Sequence, residues 1–258
     1  MQLSEYGLRR HSKRKAIVLS RGMCQNCGIS PVSAVKVDKH LFQALAQFWN
    51  HAYNCFTFGK VDLVPTVEEY TTLLRCPKIQ VDKAYSRAAS VPTLLKKLMN
   101  IREMSEQWVS ARIQQKGDSK CVSWKSLQNL VLVHPDVKKR IDVFALGIYG
   151  LIVFPKDLGH IDEAVSDLFD WLSKGVMPVP AMVAETFRSL NACRRVGEGR
   201  FIGCAQLLFA WFHSHFWKIE KVSYRVFSDS YSPLEELVAT VMRDDVSEEK
   251  WIAILQNL

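Results

Sequence analysis

Cys24 and Cys27 stand at the C-x-x-C spacing, from which two thiolates can grip one tetrahedral zinc ion across a tight turn. The second half of such a site is missing. No other close Cys or His pair falls at zinc-finger spacing, and no βαβ pattern frames a thioredoxin-like centre, so two ordinary cysteines are expected. His213-x-His215 would serve a metal from a strand, where alternate residues share a face. In a helical stretch the two rings point about 200° apart, and they read as polar residues at a helix end. Glu163, Asp167 and Asp170 share one helical face but lack a partner acidic helix, which makes a solvated stripe of them. Gly197-x-Gly199-x-x-x-Gly203 departs from G-x-G-x-x-G and follows a helical segment, so it suits a loop with close packing better than a dinucleotide. Walker, nucleophile-elbow, aspartic-protease and H-E-x-x-H patterns are absent. These residues imply no enzyme, no cofactor and no metal site.

Charge points elsewhere. Of the chain's +8, residues 1–21 carry +5 and leave only +3 for the other 237 residues. The run Arg9, Arg10, Lys13, Arg14, Lys15 has the form of a nuclear import signal, and phosphorylation of Ser12 within it would weaken import or anion binding. In the body, Lys138, Lys139 and Arg140 form one basic cluster. Arg188, Arg194, Arg195 and Arg200 form another, the candidate contact for an anion or nucleic acid.

The elements that must position these groups are mostly helices. With 258 residues, 48% hydrophobic, the chain is long enough for a sizeable core. Residues 1–34 read as a basic flexible arm and 35–258 as a globular helical domain. Seven scattered cysteines favour a reducing compartment. Neither apolar run, Val143 to Phe154 or Phe201 to Phe212, reaches the roughly 18 residues of a membrane span. Leu41, Leu45, Phe48 and Ala52 mark an amphipathic helix after Asp38. Residues 55–64 suggest one small β-hairpin about Gly59-Lys60, and Thr66-Val67-Glu68-Glu69 spells a capping box opening the next helix. Further helices are expected from Thr93, Ser105, Ser123, Asp136 (to Phe154), 161–172, Pro180 to Arg195, Phe201 to Trp217, Ser232 and Ser247. Gly147 and Gly150 would admit a close helix. Phe201 to Trp217, apolar on nearly every side, should be the central core helix. The last helix stops on its apolar face, which suggests a domain truncated at its C-terminus.

Several long phrases resemble a plant domain of unknown function related to the plant mobile domain, the group sometimes labelled aminotransferase-like. They include Val35-Lys36-Val37-Asp38-Lys39-His40-Leu41-Phe42, Ile141-Asp142-Val143-Phe144-Ala145-Leu146, Phe187-Arg188-Ser189-Leu190-Asn191-Ala192-Cys193-Arg194-Arg195 and Ala210-Trp211-Phe212-His213-Ser214-His215-Phe216. Leu63-Val64-Pro65-Thr66-Val67-Glu68-Glu69 is similar to the group's F-x-P-T-x-E-E phrase. The resemblance runs from about Val35 to the end, while residues 1–34 depart from it. It implies a mainly helical domain carried through plant genomes by transposable elements and sometimes kept in nuclear proteins of silencing or genome stability. It implies no catalytic residues, and no lysine with a phosphate cradle supports pyridoxal chemistry. The expectation is a nuclear, or else cytoplasmic, non-enzymatic module that binds protein partners. The alternative is a nucleic-acid-binding protein of the element itself.

Overall fold

The computed structural model describes residues 32, 34–76, 99, 105–133, 135–156, 158–173, 177–196, 201–216, 237–238 and 246–257. The chain opens with α1 (Lys39–Gln47), β1 (Trp49–Asn50), β2 (Cys55–Phe58), β3 (Val61–Leu63) and α2 (Val67–Leu73). There follow α3 (Glu106–Ser110), β4 (Ile113–Lys116), β5 (Ser119–Ser123), α4 (Trp124–Val133) and α5 (Val137–Ile148), which runs into a π-helical turn (Tyr149–Val153). The last elements are β6 (His160–Asp162), α6 (Glu163–Ser173), α7 (Val179–Val196), α8 (Ala205–Phe216) and α9 (Glu248–Gln256). They fall into two compact units, one built from Pro31–Lys78 and Pro178–Leu258, the other holding Ile79–Met177.

Helix predominates among the described residues, but the expectation of a single hairpin at 55–64 is overturned. The described residues contain two three-stranded antiparallel sheets, β1-β2-β3 and β4-β5-β6. Four strands were missed: β1 has two residues and β6 three, too few to display the alternation that marks a strand, while β4 (IQQK) has a single apolar residue and β5 (SKCVS) carries its apolar pair on adjacent positions, so neither alternates. Trp49 in β1 reads as an extension of the α1 face, and Ile161 and Asp162 in β6 read as the first turn of α6. The starts of the helices expected at Thr93 and Ser232 lie outside the described residues.

In the unit containing α1, the Asp38 carboxylate caps the helix by accepting from His40 N at 2.8 Å and Leu41 N at 3.1 Å. The helix buries Leu41, Ala44 and Leu45, and the chain then turns into β1, which pairs Trp49 with Phe56. The β2–β3 register, Phe58 opposite Val61, leaves a two-residue loop whose Gly59 takes φ 54°. Two-residue hairpins of the II′ class place glycine at this position because it has no Cβ to clash. Period-two alternation puts Phe56 and Phe58 on one face and the exposed Thr57 on the other. That aromatic face meets α8: Phe56 lies 5.7 Å from Trp211 between ring centroids, and Phe58 lies 5.9 Å from Phe212 and 5.1 Å from Phe216. Trp49 adds an edge contact to Phe56 and a tilted one to Phe187 of α7. Each such pair contributes about 0.5–1.5 kcal/mol beyond the area it buries. α8 is buried without interruption from Leu207 to His215, the central helix expected from its all-round apolar sequence. α7 and α8 both pack on α2, and α9 packs on α1.

The other unit is organised around β4-β5-β6. β4 and β5 turn through Gly117, with φ 55°, and Asp118. Trp124 begins α4 directly after β5, its amide donating to Gly159 O at 2.8 Å. A Cβ on Gly147 would come within 2.5 Å of the Trp124 ring, and one on Gly150 within 2.7 Å of Ile161. Of the two glycines expected to admit a neighbouring helix, Gly147 therefore does so, through an α4 side chain, whereas Gly150 admits strand β6. The helix expected from Asp136 to Phe154 changes to π geometry at Tyr149. Asp162, buried at the end of β6, caps α6 through Ala164 N at 2.8 Å and meets Lys156 Nζ at 3.0 Å.

Candidate functional site

The densest polar arrangement among the described residues grows out of the capping box. Thr66 is extended, with φ −105° and ψ 160°, and its Oγ1 accepts from Glu69 N at 3.2 Å. Glu69 reaches back, its Oε2 accepting from Thr66 N and Thr66 Oγ1, each at 3.0 Å. This much is legible in the spacing of Thr66 and Glu69. The same carboxylate also takes the indole Nε1 of Trp211 at 2.9 Å on Oε2 and Nε2 of His215 at 2.9 Å on Oε1. Trp211 and His215 are four residues apart in α8, one turn, so a single helix face presents both donors. Sequence reasoning missed their partnership with Glu69. The available signal was a glutamate in a first helical turn and two polar ring nitrogens on an otherwise apolar helix.

All three side chains are buried, Trp211 and His215 to 1% exposure and Glu69 to 6%. Burial pushes the Glu69 carboxyl upward, but the bonds from His215, Trp211 and Thr66 together outweigh it and hold the group below its ordinary value. Four donors reach this one carboxylate, three on Oε2 and one on Oε1. The constellation can therefore hold a buried charge and tie α2 to α8.

The other chemical groups are similarly withdrawn. His213 and His215 are both buried on α8, with His215 committed to Glu69, and among the described residues no group of three or more His, Cys, Asp or Glu is placed to hold a metal ion. Cys55, Cys76, Cys121 and Cys204 are buried, Cys193 is partly exposed, and none of these five forms a disulfide. Burial pushes the Cys204 thiol up to about 12 and raises Cys193, the opposite of an activated nucleophile. Burial likewise raises the Tyr70 phenol.

Glu163 and Asp167 lie half-buried on α6; the Asp170 side chain, Cys24, Cys27, Gly197 and Gly199 lie outside the described ones. Gly203 is a packing glycine, since a Cβ there would come within 2.7 Å of the Phe201 ring and 3.2 Å of the Thr186 backbone. Of the arginine cluster, Arg188 forms a two-pronged pair with Glu185 on its own helix, and Arg194 is exposed. The Arg195 side chain, Arg200 and the run from Arg9 to Lys15 are outside the described residues, as is the Lys138 side chain, while Lys139 and Arg140 are half-buried. No helix among the described residues is long and apolar enough to cross a membrane.

No curated protein and no solved structure matches the chain. Residues 26–256 match a family model described as Domain of unknown function (DUF7745), in agreement with a domain of unknown function but with no link to the plant mobile domain or to transposons. Because that match takes in most of its length, the chain belongs to the DUF7745 family.

Proposed function

We propose that the chain is a non-catalytic helical binding module, related to plant mobile domains of transposable-element origin, that works in the nucleus by contacting other proteins. One observation carries the reading. The carboxylate and imidazole best suited to acid–base chemistry, Glu69 and His215, spend their hydrogen bonds on Trp211, Thr66 and each other inside the core. Buried thiols raised by desolvation argue in the same direction. The transposon kinship rests on the sequence phrases, and nuclear entry on the run Arg9, Arg10, Lys13, Arg14, Lys15.

A second reading, nucleic-acid binding, draws on exposed Arg194 and its neighbours in the cluster. Fluorescence anisotropy with a single-stranded oligonucleotide at low and moderate salt separates the two. The full chain is compared with a variant whose five basic residues between Arg9 and Lys15 are serine. The binding-module reading expects any oligonucleotide affinity to vanish with those charges. Retained binding with a salt slope of several phosphates would transfer the function to the nucleic-acid reading. Hydrolase or transferase turnover by the pure chain, abolished by one folded point variant, would overturn both.

A further inference from the structure

The loop between β1 and β2, residues 51–54, is exposed at every position, and its one large side chain, Tyr53, stands 80% in solvent. The loop is nevertheless tied down at both ends. Asn50 Oδ1 accepts from Ala52 N at 3.0 Å, and Asn54, in the left-handed region at φ 53°, accepts through Oδ1 from Asn191 Nδ2 at 2.9 Å. Asn191 uses its other amide atom on the same unit, its Oδ1 accepting from Trp49 Nε1 at 2.8 Å. One side chain of α7 thus holds both the buried tryptophan that starts the hairpin and the loop that carries Tyr53.

Asn191 is flanked on α7 by Arg188 three residues before and Arg194 three residues after, neighbours on the helix surface. Arg188 is engaged by Glu185, whereas Arg194 is exposed. From Val179 to Val196 the helix carries three arginines and a single acid. Tyrosine and arginine are the residues that most often dominate protein interfaces, and a tethered loop has little ordering left to lose on binding.

We infer that Tyr53 and Arg194, set around Asn191, form a docking surface for an acidic peptide segment of a protein partner, with a carboxylate on Arg194 and an apolar side chain on the Tyr53 ring. The inference rests on the binding-module reading and names its surface. Charge decides the partner class. Outside residues 1–21 the chain carries only +3, and one arginine of the patch is already neutralised. Polyanion binding draws its affinity from many simultaneous phosphate contacts, whereas the exposed Arg194 and Tyr53, connected through the Asn191–Asn54 hydrogen bond, suit a short peptide, for which Arg–carboxylate pairing is two-pronged and directional.

The test pans a phage-displayed library of random 12-residue peptides on the immobilised full chain, then measures enriched peptides in solution against the parent, Tyr53→Ala, Arg194→Glu and Asn54→Gly. The expected result is acidic peptides with an apolar anchor, weakened at least about tenfold by Tyr53→Ala and by Arg194→Glu. Asn54→Gly keeps the left-handed turn but removes the tether, and is expected to weaken binding a few-fold. Saturable peptides without acidic bias, or indifferent to both Tyr53 and Arg194, overturn this surface while leaving a binding module elsewhere on the chain. An unenriched library overturns both. A 20-nucleotide single strand that binds through the same two residues more tightly than any selected peptide assigns the surface to nucleic acid and overturns the peptide inference.

Discussion

Replacing Glu69 by alanine should be among the most damaging single changes in the unit that contains α8. The substitution removes the acceptor from four donors. Trp211 Nε1 and His215 Nε2 stay buried with nothing in that direction, at about 1–3 kcal/mol each, and the α2 cap loses half of its box at roughly 1 kcal/mol. Part of this is recovered as the cavity relaxes, so the expected loss is about 3–5 kcal/mol, the range found when one partner of a buried ion pair is deleted. Glu69→Gln discriminates between shape and charge. Its amide oxygen can still serve Trp211 and Thr66, but its NH2 faces His215 and the charge assistance is gone, so about half the alanine loss is expected. The assay is urea unfolding at pH 7 followed by tryptophan emission, since Trp49 and Trp211 are both buried in this unit. A Glu69→Ala loss below about 1 kcal/mol would refute the view that this carboxylate ties α2 to α8. So would a Glu69→Gln loss near zero, because the charge would then contribute nothing.

Two further outcomes follow from the same geometry. Glu69 has a folded pKa below its ordinary value of 4.5, so its stabilisation is fully present above that value and fades as pH falls through the lower folded pKa. Urea midpoints measured from pH 7 down to pH 3 should therefore drop below about pH 4.5 more steeply for the parent than for Glu69→Gln, and parallel curves would contradict the assignment. In the other unit, Gly147→Ala should cost about 1–3 kcal/mol by forcing the Trp124 ring aside, less the roughly 1 kcal/mol that alanine gains in helix propensity. Adding Trp124→Leu should restore part of the loss in thermal unfolding, and failure to do so would mean the ring is not what occupies that space.

Much of the helical frame was legible in the sequence because its signals are local. Asp38 and Thr66 cap where their oxygens can reach amides two or three residues on, and the apolar run before Phe216 is buried whatever surrounds it. The hairpin at Gly59 was legible for the same reason, since a two-residue turn is a property of adjacent residues. The strands β1 and β6 were not: Trp49 and Ile161 carry no pattern of their own and become strand only by pairing with Phe56 and Val122.

The candidate site divides along the same line. The sequence by itself determined that Thr66 and Glu69 form a capping box, because three residues of helix bring those two groups together in any context. Only the tertiary structure decided that Glu69 also receives Trp211 and His215, which lie 142 and 146 residues further along the chain. Side-chain periodicity says which face of α8 is apolar but not which distant acid will be pressed against it. That is settled by the packing of α8 on α2, where the burial of one carboxylate requires every nearby donor to turn toward it.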